Sequence, residues 1–252
     1  MSKLLASITT FYKFLLSSRA KRISIFALVL SLAFFIVWTS NYAWTIITTP
    51  YPAEYREGAT LLLTDFFIHG RNPFFLENHP LMTNNYGFLY NLVVLPFAVL
   101  FGNTLAVHRT ISILCILASC TMIVLTLIKI DLSLPFAIAC GVILLASLLF
   151  GGIPLAHPDG LGEFLFLFTI LFPFYRNFDP PALIVSVITG ILAFLAKPYF
   201  LLSIGIVATY LFLFVSKGRG FTYGIAAFGS LVLITYVLKV FFECYFLDVI
   251  LC

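Results

Sequence analysis

Charged residues are scarce in this chain of 252 residues: they make up 10% of it, whereas hydrophobic residues make up 62%. Soluble domains carry about 25% charged and about 45–50% apolar residues, so the composition excludes an ordinary soluble domain. Runs of alternating polar and apolar residues are also missing, which argues against a β-barrel. Several apolar stretches reach the roughly 20 residues that a helix needs to cross a bilayer. The sequence therefore predicts an all-α, polytopic membrane protein that forms a single transmembrane domain over residues 1–252.

Two other absences narrow the function classes. The five cysteines lack CxxC or CxxH spacing, so they predict buried small apolar residues and neither metal ligands nor disulfides. The net charge of +4 is small and lies at the ends of apolar segments. Such charge indicates membrane topology and excludes a nucleic-acid partner.

The N-terminal segment, residues 1–22, carries five basic residues and no acidic one. The apolar run Ile23–Ile47 that follows is longer than the roughly 7–15 residues of a signal-peptide core, and no small-residue cleavage site follows it. This pattern predicts a signal anchor with a cytoplasmic N-terminus, which puts the polar loop at residues 49–90 on the external side.

Further spans are predicted within residues 105–250, for about seven in total. They are Leu105–Ile128, Leu134–Phe150, Leu161–Tyr175, Ala182–Ala196, Tyr199–Val215 and Phe221–Ile250. The segment Tyr86–Gly102 is short and interrupted by Asn91 and Pro96, so we expect it to dip into the membrane or lie beside it without crossing. The basic links between later helices then lie on the cytoplasmic side, as the positive-inside rule requires.

The external loop holds four of the chain's ten acidic residues and is the only long stretch that is not mostly apolar. Apolar residues recur at helical spacing along Glu54–His69, which predicts an amphipathic helix at the membrane interface. Leu62 and Phe66 lie on its predicted apolar face, and Glu57 and Thr64 fall elsewhere. A membrane protein with one large polar loop is expected to carry out its chemistry there.

Several short motifs between residues 50 and 200 carry a family resemblance. They are Glu54-Tyr-Arg-Glu-Gly-Ala59, Gly70-Arg-Asn-Pro73, Tyr86-Gly-Phe-Leu-Tyr90, Phe101-Gly-Asn-Thr, His108-Arg109, His157-Pro-Asp159 and Ala196-Lys-Pro198. In order and spacing they resemble the GT-C-type glycosyltransferases, polyprenyl-phosphate-sugar-dependent membrane enzymes that include protein mannosyltransferase-like and aminoarabinose transferase-like proteins. The chain departs from that pattern in two ways: its acidic pair is split as Glu54 and Glu57, and it stops at Cys252, shorter than family members generally are. We therefore expect a fragment or a reduced member.

The resemblance implies transfer of a sugar from a polyprenyl-phosphate donor to a lipid, glycan or protein acceptor at the external face of a bacterial inner membrane. A carboxylate would take the acceptor's proton as general base, with Glu57 the first candidate and Glu54 the second. The predicted substrate-binding residues are Arg109, His157, Asp159 and Lys197, and the cations among them would stabilise the leaving phosphate. No cofactor is predicted; the carboxylates leave a divalent cation open, but no ligand spacing specifies one.

Other interpretations remain open at this point. A transporter or lipid-translocating protein without group-transfer chemistry is the main alternative function, although its usual internal repeats and broken mid-membrane helices are not found. A structural subunit whose loop binds a partner is a third. At single residues, Glu57 could lie on a solvated helix face, Arg109 could snorkel to the headgroups and Asp159 could cap the next helix.

Overall fold

The computed structural model describes residues 18–78, 86–242, 244, 245 and 249, with side chains from residue 22 onward. Helices dominate this part of the chain, and no β-strand occurs in it, so the fold is all-α. Most of the predicted cytoplasmic segment 1–22 lies outside the described residues. The same holds for most of residues 243–250, the last part of the predicted span Phe221–Ile250.

The helices are numbered here in chain order. They are α1 (Ser18–Thr48), α2 (Tyr55–Ile68), α3 (Leu89–Phe101), α4 (Leu105–Lys129), α5 (Leu134–Phe150), α6 (Asp159–Tyr175), α7 (Pro180–Ala196), α8 (Leu202–Tyr210) and α9 (Lys217–Phe241). A 3-10 turn at Pro198–Leu201 and a π turn at Leu211–Val215 extend α8 at its two ends. Another 3-10 turn covers Leu76–Asn78.

Four helical segments in the described part of the chain are long and apolar enough to cross a membrane. They are Arg22–Thr48, Leu105–Lys129, Pro198–Val215 and Lys217–Phe241. Helices α5, α6 and α7 have 17 residues each. At 1.5 Å per residue each is about 25 Å long, short of the roughly 30 Å hydrocarbon core. The part of the chain that the structure describes therefore has four candidate spans by length and composition, and the larger number of about seven stays a prediction.

The helices form a bundle with two distinct ends. At the link end, which holds the short connections 129–134 and 175–180, Lys129 Nζ donates to the Tyr175 carbonyl at 2.8 Å. Phe178 also stacks there on Tyr210, with ring centroids 5.2 Å apart. At the loop end, which holds residues 49–57, 103–112 and 151–159, α4 begins and α1 ends.

Helix α3 lies wholly toward the loop end. It has 13 residues, too few to span a bilayer. Just before it, the Gly87 amide donates to the Ala196 carbonyl at 3.2 Å. Just after it, the Asn103 side-chain amide donates to the Leu61 carbonyl of α2 at 2.9 Å. Because both flanks are fixed near α2 and the start of the 196–199 turn, the helix fits the predicted course beside or into the membrane.

Helix α2 buries polar residues together with apolar ones. Its buried residues include Leu63 and Phe66, but also Glu57 and Thr64, whereas Leu62 is exposed. The sequence predicted Leu62 on an apolar face at the membrane interface and Glu57 and Thr64 elsewhere; in the structure Glu57 and Thr64 share the buried side of the helix with Leu63 and Phe66. The polar residues turn inward because partners satisfy them there: the Asn91 amide of α3 donates to Thr64 Oγ1 at 2.8 Å, and Glu57 has the partners described below.

Candidate functional site

The Glu57 carboxylate is completely enclosed at the loop end of the bundle. Its Oε1 accepts hydrogen bonds from Arg109 Nε and from the Ala156 amide, both at 2.8 Å. Its Oε2 accepts from Arg109 Nη2 and from the Ala53 amide, both at 2.7 Å. A carboxylate offers about four lone-pair positions, so every one of them is occupied. Burial alone would raise the pKa of Glu57, but these four bonds outweigh it and hold the pKa below its ordinary value.

Arg109, on the second turn of α4, is also saturated. Besides its two bonds to Glu57, Nη1 donates to the carbonyls of Ile46 and Thr49 at 2.7 Å, and Nη2 donates to that of Tyr51 at 2.9 Å. A guanidinium has five N–H groups, and all five are used. Its side chain is 1% exposed, which excludes snorkelling to the headgroups. We call this pair the Glu57–Arg109 clamp; it ties together the end of α1, the start of α2, α4 and the loop at Ala156.

The clamp bears on the roles predicted for its members. A general base needs an oxygen within hydrogen-bond reach of the proton that it removes, and a phosphate ligand needs a free N–H group. Glu57 has no oxygen left for such a proton, and Arg109 has no N–H group left for a phosphate. The arrangement favours a positioning role for both residues, and their catalytic and substrate-binding roles stay predictions that this geometry does not support.

A second group of polar side chains surrounds Asp159, the first residue of α6. Lys197 Nζ lies 2.9 Å from Asp159 Oδ1, and the Tyr199 hydroxyl donates to the same oxygen at 2.6 Å. His157 Nδ1 approaches Oδ2 to 2.7 Å without the alignment of a hydrogen bond. Three of the predicted substrate-binding residues, His157, Asp159 and Lys197, therefore meet in one place. We call them, with Tyr199 and the neighbouring Tyr86, the Asp159 cluster.

The charge state of Asp159 follows from these contacts. Burial would raise its pKa, but the contacts with His157, Lys197 and Tyr199 outweigh burial and hold the pKa far below its ordinary range. Asp159 is therefore a carboxylate that balances the Lys197 ammonium. The alternative role as helix cap is not seen, because Pro158 occupies the N-cap position and no side chain caps α6.

Tyr86 connects the rest of this cluster to Arg56 at the start of α2. The Lys197 ammonium lies over its ring, 4.6 Å from the centroid. Its hydroxyl accepts a hydrogen bond from Arg56 Nη1 at 2.9 Å, and Arg56 Nε lies 3.0 Å from Glu54 Oε1. The Arg56 and Glu54 side chains are 42% and 30% exposed. Two cations, Arg56 and Lys197, thus flank one tyrosine, and Glu54 is the more accessible carboxylate of the predicted acidic pair.

The clamp and the cluster share one loop. Ala156, which donates to Glu57, directly precedes His157. Ser112 of α4 also holds this loop, since its hydroxyl donates to the Leu155 carbonyl at 2.8 Å. The clamp therefore holds the loop that carries His157 and Asp159, two members of the cluster.

Sequence reasoning missed three residues of this site: Arg56, Tyr86 and Tyr199. Arg56 lies between the two predicted acidic residues, and Tyr199 lies two positions after Lys197. Tyr86 begins a motif that carried the resemblance. Each of the three therefore lies next to a predicted site residue or within a quoted motif. Only spatial proximity, however, selects these side chains among the chain's 12 tyrosines and 14 lysine and arginine residues.

The possible cation site was tested against the same geometry. Within the described residues, no three His, Cys, Asp or Glu side chains come together to hold a metal ion. In particular, both oxygens of Glu57 already accept hydrogen bonds from Arg109 and from backbone amides.

Comparisons with known proteins add no assignment: no protein-family model matches the chain, and neither a curated protein nor a solved structure is significantly similar to it.

Proposed function

We propose that this protein is a membrane glycosyltransferase that moves a sugar from a polyprenyl-phosphate donor to an acceptor at the membrane surface. One observation carries the proposal: at one end of an apolar bundle, two cations and two carboxylates surround Tyr86. The cations are Arg56 and Lys197, and the carboxylates are Glu54 and Asp159. Such a group suits a substrate with a phosphate head and an apolar body that arrives from the bilayer.

The chemistry that these residues support can be written step by step. An oxygen of the acceptor forms a bond to the anomeric carbon of the sugar, and its proton passes to the Glu54 carboxylate. The bond between that carbon and the phosphate oxygen breaks, and the lipid phosphate leaves with the electron pair. Lys197 and Arg56 stabilise the negative charge that develops on the phosphate by charge-assisted hydrogen bonds.

The sidedness of the site is part of the proposal. Lys129, Arg176, Lys217 and Arg219 lie at or near the link end, away from the Asp159 cluster. By the positive-inside rule the link end faces the cytoplasm and the cluster faces the external side. The bacterial inner membrane is proposed on the family resemblance alone.

The test is a turnover assay in membranes that hold equal amounts of each variant. Labelled polyprenyl-phosphate sugars are supplied as a panel, and the sugar transferred or released is measured. We expect wild-type protein to use at least one donor, and Glu54→Gln to lose about 10²–10⁴-fold, the range for removal of a general base. Lys197→Met should lose activity as well, while Asp65→Asn, an exposed α2 carboxylate, serves as the matched control.

The outcomes separate the function classes. No turnover of any donor overturns the proposal, and donor binding without turnover then favours the lipid-translocating alternative. Turnover that is unchanged in Glu54→Gln keeps the class but removes Glu54 as the base.

A further inference from the structure

An apolar cavity of about 390 Å³ lies between α7 and α9 at the link end of the bundle. On the α7 side it is lined by Leu183, Ile184 and Val187, and Phe178 of the preceding link lines it as well. Ile184 is 63% exposed, so the cavity opens toward the outside of the bundle, where lipid lies in a membrane. We call it the α7–α9 cavity.

The α9 side carries the polar part of this cavity. Arg219 and Thr222 line it about one helical turn apart, and Ala226 lies about one turn further along. Tyr223 also lines the cavity, but its hydroxyl lies 2.8 Å from Ser186 Oγ and is therefore paired inside the bundle. The cavity is thus apolar over most of its wall and charged where α9 begins.

The cations at the start of α9 have no counter-charge. Arg176, at the same end of the bundle, pairs with Asp179 at 2.9 Å. Within the described residues, by contrast, the side chains of Lys217 and Arg219 make no hydrogen bond, ion pair or cation–π contact, and both are exposed. The five N–H groups of the Arg219 guanidinium are therefore available beside an apolar cavity.

Charge distinguishes the α7–α9 cavity from its neighbours. Three other apolar cavities border α8, and none of the described residues that line them is charged. The ion pair of Arg176 with Asp179 adjoins one of these cavities through Phe178, but an ion pair offers no net charge to an anion. The α7–α9 cavity thus combines an apolar wall with an unbalanced cation.

We propose that the α7–α9 cavity binds an anionic phospholipid of the surrounding membrane, with an acyl chain against Ile184 and Ala226 and the headgroup phosphate at Arg219. Burial of the chain removes apolar surface from its surroundings, and a guanidinium forms charge-assisted hydrogen bonds with a phosphate. Lys217 favours an anionic headgroup over a zwitterionic one, because a choline would bring a second positive charge next to it.

The location of the cavity fits such a lipid. With the sidedness proposed above, the link end faces the cytoplasmic leaflet, whose anionic headgroups attract basic residues next to membrane spans. The inference does not depend on the transferase, since the α7–α9 cavity and the Asp159 cluster lie at different ends of the bundle.

The experiment uses the full chain, purified in a mild non-ionic detergent. Binding of a tail-labelled phosphatidylglycerol is titrated, and the competitors are unlabelled phosphatidylglycerol, phosphatidylcholine with the same tails and inorganic phosphate. The charge variants are Arg219→Gln and Arg219→Lys. Arg71→Gln is their matched control, because Arg71 is an exposed arginine that follows α2.

A second pair of variants tests the apolar part of the site. Ala226→Phe fills the cavity from the α9 side, where Ala226 is exposed. Val232→Phe is its matched control, because Val232 lies on the same helix, is 53% exposed and does not line the cavity. Thermal unfolding of each variant checks that the bundle is intact, which we expect since all four altered positions are exposed.

We expect phosphatidylglycerol to bind at least about fivefold more tightly than phosphatidylcholine, and Arg219→Gln to weaken its binding about fivefold, the effect of one basic residue near an anionic headgroup. Arg219→Lys should keep most of the affinity. Ala226→Phe should weaken binding of both lipids. Arg71→Gln and Val232→Phe should leave binding unchanged.

Four results would overturn the inference. Equal affinity for the two lipids removes the selection for an anionic headgroup, and displacement of the labelled lipid by inorganic phosphate assigns Arg219 to a free anion. An equal loss in a variant and its matched control removes the cavity as the binding site. A dimer that Ala226→Phe dissociates, with lipid binding unchanged, assigns the cavity to a second copy of the chain.

Discussion

Glu57 and Asp159 lie at the same end of the molecule, but their surroundings suit them to different tasks. Glu57 is enclosed by four donors, two of them backbone amides. Asp159 is partly open and shares its oxygens with side chains that can move toward a ligand, Lys197 and Tyr199. An enclosed and saturated carboxylate holds backbone in place, and an open one paired with a lysine can exchange partners when a substrate binds.

The first prediction concerns the Glu57–Arg109 clamp. In Glu57→Gln an NH₂ group replaces one carboxylate oxygen, so that two donors face each other at Arg109 or at a backbone amide. The buried Arg109 guanidinium also loses its counter-charge. We expect a loss on the order of 3–5 kcal/mol in the free energy of unfolding. Thermal unfolding in detergent, with a reversible denaturant titration where possible, measures it.

The matched control for the clamp is Asp65→Asn on the same helix. Asp65 pairs with His69 in an exposed position, so the change should stay within about 1 kcal/mol. A similar loss in both variants would show that Glu57 is no more important to the fold than a surface carboxylate.

The second prediction concerns pH. The folded-state pKa values of Asp159 and Glu57 both lie below their ordinary values. Each contributes stability that is fully present above the unfolded-state pKa, about 4, and is lost as pH falls toward the folded-state pKa. We expect the thermal unfolding midpoint of the wild-type protein to decrease as the pH is lowered below about 4. The midpoint of Asp159→Asn should decrease less over the same pH range. A midpoint that falls equally in both proteins would remove Asp159 as a source of the pH dependence.

At the scale of elements, the site depends on how closely backbone segments approach one another. Gly87, just before α3, has its amide 3.2 Å from the Ala196 carbonyl, and any Cβ there would overlap the Leu195 carbonyl. Lys197 is the residue directly after Ala196. The absence of one side chain at Gly87 thus allows α3 to lie against the end of α7 and sets the position of the lysine in the cluster.

The third prediction follows from that contact. Gly87→Ala should destabilise the protein by about 1–3 kcal/mol, the usual range for overpacking, because the obstacle is backbone. It should also weaken phosphate binding, since Ala196 and Lys197 must shift. Unfolding midpoints and binding of a short prenyl phosphate measure the two effects.

Gly58 provides the control for Gly87. It lies within α2, and a Cβ there would meet nothing within 4 Å. Gly58→Ala should be neutral or stabilising by about 0.5–1 kcal/mol, because alanine loses less conformational entropy in a helix. Equal destabilisation by both substitutions would contradict the close contact at Gly87.

At the scale of the whole molecule, the basic connections and the two buried polar groups lie at opposite ends of the bundle. The link end carries the basic connections, and the loop end carries the clamp and the Asp159 cluster. Helix α1 joins them, since the carbonyls near its C-terminus bind Arg109 at the loop end. Its start at Ser18 therefore points to the link end.

The fourth prediction tests this orientation. In a version with the native cysteines replaced by alanine, Tyr55→Cys should react with a membrane-impermeant maleimide on intact cells. Lys217→Cys should react only after permeabilisation. Both positions are exposed, and they lie toward opposite ends of the bundle. The reverse pattern would put the cluster on the cytoplasmic face, and labelling of both on intact cells would contradict the two-ended arrangement.

The sequence by itself determined the class and most of the helices. Leu134–Phe150 is a helix over the predicted residues, and the predicted Leu105–Ile128 differs by one residue at its end. These predictions succeed because a long apolar run bounded by polar links satisfies its backbone locally, as a helix, wherever it lies in a membrane. The motif at residues 157–159 and Lys197 were also identified, since charged residues at the ends of apolar helices are conspicuous.

Only the tertiary structure decided which of these residues act together. Glu57 and Arg109 are 52 positions apart, and Asp159 and Lys197 are 38 apart. Whether a carboxylate in an amphipathic helix faces water or a buried guanidinium depends on the partner across the bundle, and local spacing carries no information about that partner. The inward turn of Glu57 therefore arises from packing between distant segments, where burial makes each of its polar contacts obligatory. The hydrogen bond from Arg56 to Tyr86 also joins distant segments, but it lies in a partly exposed place.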